Sequence, residues 1–583
     1  MSRIFQNLLR WLKQAKRGLP FLPSIRLSTI RKVFSLMGKR EKIASVILLG
    51  LAAVSASVSL NRFYLGHTKA VAAAGGSYSE GIIGQPRFIN PVLATSDTDT
   101  ALVRLVFSGL YKYNGGGHLV PDLADGMPQI SDDQKTYTVH LRRDVKWHND
   151  KPFTADDVVF TIKTLQDPAY NSPLRPEWMN TVVAKTDDYT ITFQVKDISG
   201  PFINNLALPI LSKGTWQNVS PKDFVLSQDN LEATGTGPYF IKEIKKLPQG
   251  TVQSIQLEAN SNYYGGRPHL DSVRLVFYEN YNDVLQGLHG KQINGFGFVP
   301  SDQDFYLDRN NKSLTIHLLP LPQYQATFFN LSNKIFSDKS VRQAFALATD
   351  KQQIINDVYG GNALAINGPI LPEQVPGLPP ADTHVDVDAA AKLLDAAGWK
   401  VDPQTNVRSK GGTKLEFTLA TNDFSLNAKT AETLAEQWGK LNAKVNLNIL
   451  PTKDLTDTII RPRKFDVLLF SQKLGPDPDP FVFWHSSQAK NPGFNLSGFS
   501  NATADQLISQ ARTTTKADVR ADKYRQFESL ITQEVPAIFL NQSVYLYAQD
   551  RSLKGVTLQN LYDQGNRFDD VTNWYLDENR VWK

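Results

Sequence analysis

Tyr137, Val139 and Leu141 alternate with Thr138, His140 and Arg142, a period of two that predicts a half-buried strand over 137–141. Asn149-Asp150 then carries turn chemistry, and Pro152 closes the extended run. There the period changes. Val158, Val159, Ile162 and Leu165 share one helical face, Thr154 stands where a cap belongs, and Pro168 follows the end. Asp156 and Asp157 sit at the positive end of that helix, a placement that favours capping over acid–base chemistry. Further strand patterns lie at 190–195, 272–277, 415–420 and 445–450. Helical spacing runs through Val341, Phe345, Ala348, Ile355 and Val358 from Ser340 onward. Residues 389–397 follow Asp388 as a cap and stop at Gly398, while 428–440 feed the strand at 445. No repeat of fixed period appears, and proline and glycine are dense at 367–380 and 475–480. The pattern predicts an α/β protein with substantial mixed sheet.

The N-terminal stretch reads differently. Residues 43–60 (IASVILLGLAAVSASVSL) hold no charge over 18 positions, close to the roughly 20 that span a bilayer as a helix. Lys39, Arg40 and Lys42 precede them, which orients the N-terminus to the cytoplasm and the rest outward. The competing reading is a cleavable signal peptide, with small residues at 70–74 for cleavage. Residues 1–42 form a basic arm suited either to anionic headgroups or to a disordered tail. A small-residue linker is expected over 61–77, with the folded part starting near Tyr78.

Charge and composition change the picture at two points. The basic arm carries eleven Lys/Arg against Glu41, a net +10, while the whole chain is +6, so residues 43–583 are mildly acidic and nucleic acid is not an expected partner. With 583 residues and no cysteine, more than one core is expected, and disulfides, thiolate metal sites and a lipid-bearing cysteine are excluded.

Catalytic patterns are missing from the sequence. There is no His-Glu-x-x-His or Gly-x-Ser-x-Gly, and Leu285 stands where a phosphate loop ending near Lys291 needs glycine. His140 and His148 are the closest histidine pair and are separated by a predicted turn. Asp97-Thr-Asp99 lacks the remainder of a calcium loop. Gly115–Gly117 reads as an exposed turn, Gly235 and Gly237 as positive-φ turn positions, and Arg342 as a structural ion-pair partner. No enzyme activity, metal or cofactor is expected.

Several motifs occur together and in order. The 131–161 segment is followed by Gly235-Thr-Gly-Pro-Tyr239, then by Asn262-Tyr-Tyr-Gly-Gly-Arg-Pro268. Next come Phe329-Asn330, Phe336-Ser-Asp338, Val341-Arg-Gln-Ala344 and Ala348-Thr-Asp350. Ala391–Trp399, Phe465-Asp-Val467, Asp477-Pro-Asp-Pro480, Gly498-Phe-Ser-Asn501 and Asp505 complete the set. Over about 78–545 this series resembles the family 5 extracytoplasmic solute-binding proteins, the peptide-type receptors of ABC importers.

The resemblance implies a periplasmic-binding-protein-like clamp of two lobes. Residues 78–325 and 546–583 would form a composite lobe with an inserted subdomain at about 116–234, and 326–545 the second lobe. Crossovers would fall at Pro320-Leu-Pro322 and at 542–547. It further implies a ligand site in the interlobe cleft, with Trp178, Phe470, Gln472, Asp477, Asp479, Phe483 and Trp484 as candidates. Trp178 has ordinary packing as its alternative, and both aspartates have loop formation with the prolines that follow them. An aspartate that pairs with the peptide amino terminus in relatives falls here on Leu474 or Gly475, neither of which holds a charge. The implied function is capture of short peptides by a monomeric, membrane-anchored, extracytoplasmic receptor that delivers them to an ABC permease and ATPase complex. Two alternatives are a non-peptide solute, such as a metal chelate or oligosaccharide, in the same fold, and a surface-anchored sensor or interaction protein.

Overall fold

The computed structural model describes residues 35–114, 117–297, 313–558 and 561–583; most of the basic arm, and Gly115 and Gly116, lie outside them. The chain divides into two compact units, one of residues up to 71 with 578–583, the other of 72–577.

In the first unit a helix runs over Lys39–His67, longer than the predicted 43–60 because nothing in Arg62–His67 breaks it. Ile43, Val46, Ile47, Leu48, Leu51, Val54, Val58 and Leu60 along it are exposed. The expected linker is instead ordered: Thr68–Ala73 is a strand paired with Asp577–Trp582. Residues 578–583 therefore group with the helix and not with the composite lobe.

The second unit is built on one long sheet. Its strands are β1 (Ser77–Ile83), β2 (Tyr239–Lys246), β3 (Val252–Ala259), β4 (Ser272–Tyr278), β5 (Gly295–Gly297), β6 (Leu314–Phe329), β7 (Glu416–Asn422), β8 (Lys444–Leu450), β9 (Val467–Lys473) and β10 (Ala537–Asp550). Their order is β8-β7-β9-β6-β10-β5-β1-β4-β3-β2, and an eleventh short strand, Ala363–Ala365, pairs with β10 beside this path. β1/β4 and β7/β8 are parallel, whereas β6/β10 and β6/β9 are antiparallel.

β6 and β10 pass through both halves of the sheet, and their register breaks between Pro320/Val544 and Tyr324/Gln542. Pro320 and Pro322 lack the N–H that a ladder needs, so the pairing opens there. The apolar cores separate at the same place. One takes residues from Tyr78 to Phe277 with Leu319, Tyr545, Tyr547 and positions between Leu553 and Trp574. A smaller one beside it joins Tyr281, Val284, Leu285, Ile293 and Phe296 to Leu314, Leu546 and Ala548, and two more lie within Tyr324–Leu540. Two lobes thus meet along a two-stranded crossover.

Within the first lobe, a four-stranded antiparallel sheet (Gln129–Ile130, Thr136–His140, Thr190–Val195, Thr181–Asp187) carries the helix Ala155–Gln166. Val158, Ile162 and Leu165 are buried on it. Asp157 accepts hydrogen bonds from Thr154 N at 3.0 Å, Lys213 N at 2.9 Å and Trp147 Nε1 at 3.3 Å, so it serves the scaffold. Asp156 pairs with Lys185 at 2.9 Å.

Several local readings need correction. Gly235 and Gly237 are not at positive φ. They are glycines because a Cβ would lie 1.8 Å from Val106 O at Gly235 and 2.5 Å from Val106 C at Gly237. Arg342 is structural, but its guanidinium donates to the carbonyls of Phe336, Ser337, Glu534 and Val535 and not to a carboxylate. The helix from Ser340 is two helices, Lys339–Leu347 and Lys351–Asp357, the second capped by Asp350. The next helix is Val387–Ala396, capped by Asp386 and not Asp388.

A buried charge cluster ties the crossover to the first lobe. Glu80 on β1 takes Arg567 Nε at 2.7 Å and the hydroxyl of Tyr547, on β10, at 2.9 Å. Tyr78 donates to the same carboxylate at 3.2 Å. Glu80 and Arg567 are 0 and 2 % exposed.

Candidate functional site

A cavity of about 830 Å3 lies between the lobes, within the usual range for small-ligand sites. Three parts of the chain wall it. The crossover supplies Leu321, Pro322, Gln323, Ser543 and Val544; the first lobe supplies Asp97, Tyr562, Asp563 and Gln564. The second lobe presents the ends of β7 and β9 and the helix Ser425–Gly439, with Asn422, Phe424, Asn427, Phe470 and Lys473 on the surface.

Each wall follows from local structure. Asp97 opens the helix Asp97–Val106, whose cap is Ser96, accepting from Asp99 N at 3.1 Å. Asp99 is itself consumed by Arg87 N and Phe88 N, leaving Asp97 to face the cavity. The 562–564 segment is held by the turn that Asn566 and Asp563 build and by the Arg567–Glu80 pair just behind it. Tyr562 also donates to Gly117 O at 2.7 Å.

The second-lobe wall is a chain of amides. Asn427 Nδ2 donates to Asn422 Oδ1 at 2.7 Å, and Asn427 Oδ1 accepts from Gln325 Nε2 at 2.7 Å. Gln325 Oε1 accepts from Tyr359 at 3.0 Å and from Asn541 at 3.2 Å. Gln325 and Asn541 are buried, so the chain fixes amide orientations before any ligand arrives. No side chain caps the start of Ser425–Gly439, and Phe424, just before it, is 62 % exposed. An uncapped helix start directs free N–H groups into the cavity.

Charge is divided across the cleft, with acids on the first lobe and Lys473 on the second. Burial raises the Asp97 carboxyl above its ordinary value and nearby Asp563 adds to this, while Lys473 opposes it. Asp563 is already engaged with Arg104 at 3.6 Å. The arrangement suits a ligand bearing both a cationic and an anionic group.

Of the residues expected at the site, only Phe470 lies on the cavity wall. Trp178 is enclosed by Phe193 and Phe202 and is 2 % exposed, a core position. Trp484 is 1 % exposed, packs on Phe328 and Phe539, and donates to Tyr324 at 3.2 Å. Gln472 is buried and spent on Tyr324 and on Phe494 O. Phe483 is half-buried against Phe494. Asp479 pairs with Arg512 at 2.9 Å and accepts from Phe481 N. Asp477 contacts Arg520 and Asn204. These six are scaffold or rim in this structure: Trp178 belongs to the first lobe's core, while the others turn into the core around Tyr324 and Phe539 or toward the helices Ala502–Arg512 and Ala517–Glu534.

Sequence reasoning missed Asp97, Phe424, Asn427, Lys473 and the 562–564 segment. In the sequence Asp97 reads only as part of an incomplete calcium loop. At Leu474 and Gly475, where the resemblance would put an amine-pairing aspartate, Leu474 N donates to Pro322 O and Gly475 O accepts from Gln374.

The model for bacterial extracellular solute-binding proteins, family 5 (middle region), matches residues 118–493. The oligopeptide-binding protein AppA of Bacillus subtilis is 29 % identical over 511 residues, covering 86 % of this chain and 92 % of AppA. The dipeptide-binding protein of Escherichia coli is 26 % identical, covering 82 % of this chain and 91 % of that one. Among solved structures, AppA in complex with a nonapeptide superposes with a TM-score of 0.65 over 87 % of this chain and all of AppA. NikZ of Campylobacter jejuni, in complex with Ni(L-His), gives 0.67 at 25 % identity, covering 86 % of this chain and 99 % of NikZ.

Proposed function

Since the chain belongs to the bacterial extracellular solute-binding proteins of family 5, we propose that it is the capture component of an ABC importer, taking short peptides into the interlobe cavity and presenting them to a membrane permease. The observation that carries this reading is the cavity itself: walled by both lobes, floored by the crossover strands, with an acid on one wall and a cation on the other. A peptide offers a terminal ammonium to Asp97 and a carboxylate to Lys473 and the helix start at Ser425. Its backbone meets the oriented amides of Asn422 and Asn427, while Phe424 and Phe470 cover apolar side chains. Water filling unused volume lets one site accept varied side chains. The lobes hold cargo and do no chemistry on it, so closure is the signal read at the membrane.

We read the helix Lys39–His67 as an anchor that keeps the binding unit outside the cytoplasm as a monomer. Isothermal titration of the full chain in nanodiscs against di- to pentapeptides should give heat with at least one of them; no heat with any defeats the peptide assignment. A second reading, a metal chelate, is favoured by the likeness to NikZ in complex with Ni(L-His). Mass spectrometry of ligand co-purified with natively prepared protein separates the two.

A further inference from the structure

The unit formed by the helix and residues 578–583 carries a feature that anchoring alone does not require. Arg580 Nε donates to Thr68 Oγ1 at 2.9 Å, and its Nη2 to Thr68 O at 3.0 Å and Leu65 O at 3.3 Å. Lys583 Nζ donates to Gly66 O at 2.9 Å and Lys583 N to His67 O at 2.9 Å. The carbonyls left open at the helix's outer end are thereby met by two cations, where the helix dipole favours positive charge. Around this cap stands a ring of exposed aromatics: Phe63 at 56 %, Tyr64 at 42 % and Trp582 at 64 %. Trp582 meets Tyr64 edge-on at 6.1 Å. Val581 is exposed as well. Such apolar exposure in water is unfavourable, whereas rings with one polar edge are favoured where headgroups meet acyl chains.

We propose that strand Asp577–Trp582, paired with Thr68–Ala73, forms a collar seated in the outer-leaflet headgroup region, with Trp582, Tyr64 and Phe63 at the acyl boundary and Arg62, Arg580 and Lys583 among the phosphates. The occupant is a phospholipid surface because the ring continues directly from an apolar 29-residue helix and mixes aromatic with cationic side chains. The proposal rests on the anchor reading. It adds that the chain meets the membrane at two separate segments, so the binding unit joins its anchor through two crossings of the polypeptide and not one.

The absence of cysteine allows unique spin labels. The full chain is reconstituted in phosphatidylethanolamine–phosphatidylglycerol vesicles with a label at Val581→Cys, Val54→Cys or Leu226→Cys, and accessibility to oxygen and to a water-soluble nickel chelate is measured. Val54 lies mid-helix and Leu226 is an exposed surface position of the binding unit. The expected result is a 581 label at a depth between the other two, shifting toward water when Trp582→Ala is added. A 581 label as aqueous as the 226 label, with the 54 label in hydrocarbon, overturns the collar and leaves the anchor. An unchanged depth in the Trp582→Ala background also overturns it. A 54 label in water overturns the anchor reading and the collar with it.

Discussion

Asn204 Nδ2 donates to Asp477 Oδ2 at 3.0 Å, joining the first lobe to the second on the rim away from the crossover. Asp477 is held for this contact by Arg520, whose Nη2 lies 2.6 and 2.8 Å from its two oxygens. Thr515 on the second lobe donates to Gln134 Oε1 at 2.9 Å, and Gly200 N donates to Arg512 O at 2.8 Å. At Gly200 a Cβ would come 2.4 Å from Thr514 O, so the close approach needs glycine. If closure captures ligand as proposed, these rim contacts are the latch of the closed form.

Breaking the latch should weaken ligand capture without unfolding either lobe. Asn204→Ala is expected to cost about 1–2 kcal/mol of closed-state stability, roughly a tenfold rise in peptide Kd. Asn204 also accepts from Tyr113 at 2.7 Å within its own lobe. Tyr113→Phe removes that bond and spares the latch, so its Kd should stay near wild type. Titration calorimetry on both variants makes the distinction; equal losses would place the effect inside the first lobe.

The cleft charges carry a sharper expectation. Asp97→Asn should raise the Kd of a free-amine peptide by about one to two orders of magnitude, the range for a hydrogen bond to a charged group. It should leave the N-acetylated peptide unchanged. Lys473→Met should do the converse, discriminating carboxylate from amide at the other terminus. Should Asp97→Asn penalise both peptides equally, the ammonium is bound elsewhere.

How much of this was legible beforehand depends on the range of the interactions involved. The strand Thr190–Val195 agrees with its sequence pattern to the residue, and the helix Ala155–Gln166 starts after the cap Thr154 and ends before Pro168 as its pattern requires, because alternation, cap and breaker are local signals. The helices at 339–357 read as one in the sequence because apolar spacing continues across the break that Asp350 caps. The cleft was mostly invisible. Its walls unite Asp97, Phe424, Lys473 and Gln564, which only the crossover of β6 and β10 brings together. Tryptophan is equally at home in a core and in a ligand pocket. Nothing in the sequence around Trp178 or Trp484 says which, and both went to the cores. The Gly235 motif was recognised while its cause was not, since a close approach to Val106 depends on a partner far along the chain.

The Glu80–Arg567 pair predicts a large asymmetry between single and paired changes. Arg567→Met strands a carboxylate that is 0 % exposed, an effect on the order of 3–5 kcal/mol. Adding Glu80→Gln removes the stranded charge and should recover much of that loss. Thermal unfolding of the two variants against wild type tests this. A double variant no more stable than the single one would mean that packing around Phe568, over which Arg567 stacks at 4.3 Å, matters more than charge.

Two buried groups in the second lobe set a pH dependence that can be isolated. Burial pushes the Glu528 carboxyl up to about 8, against the opposing effects of the Ile370 N–H and the Lys351 ammonium. Burial pushes Lys351 down to about 8, opposed by Asp382 and Glu528. Between the ordinary carboxyl value of 4.5 and about 8, the unfolded chain has released the Glu528 proton while the folded chain keeps it, so stability falls as pH rises. From about 8 to 10.5 the unfolded chain keeps the Lys351 proton that the folded chain has lost, and stability rises again. The two groups together place a minimum in their contribution near pH 8. Glu528→Gln is expected to abolish the falling limb between pH 5 and 8 and to keep the rise above 8, read as denaturation midpoints across that range. A wild-type decline that survives unchanged in Glu528→Gln would assign it to another group.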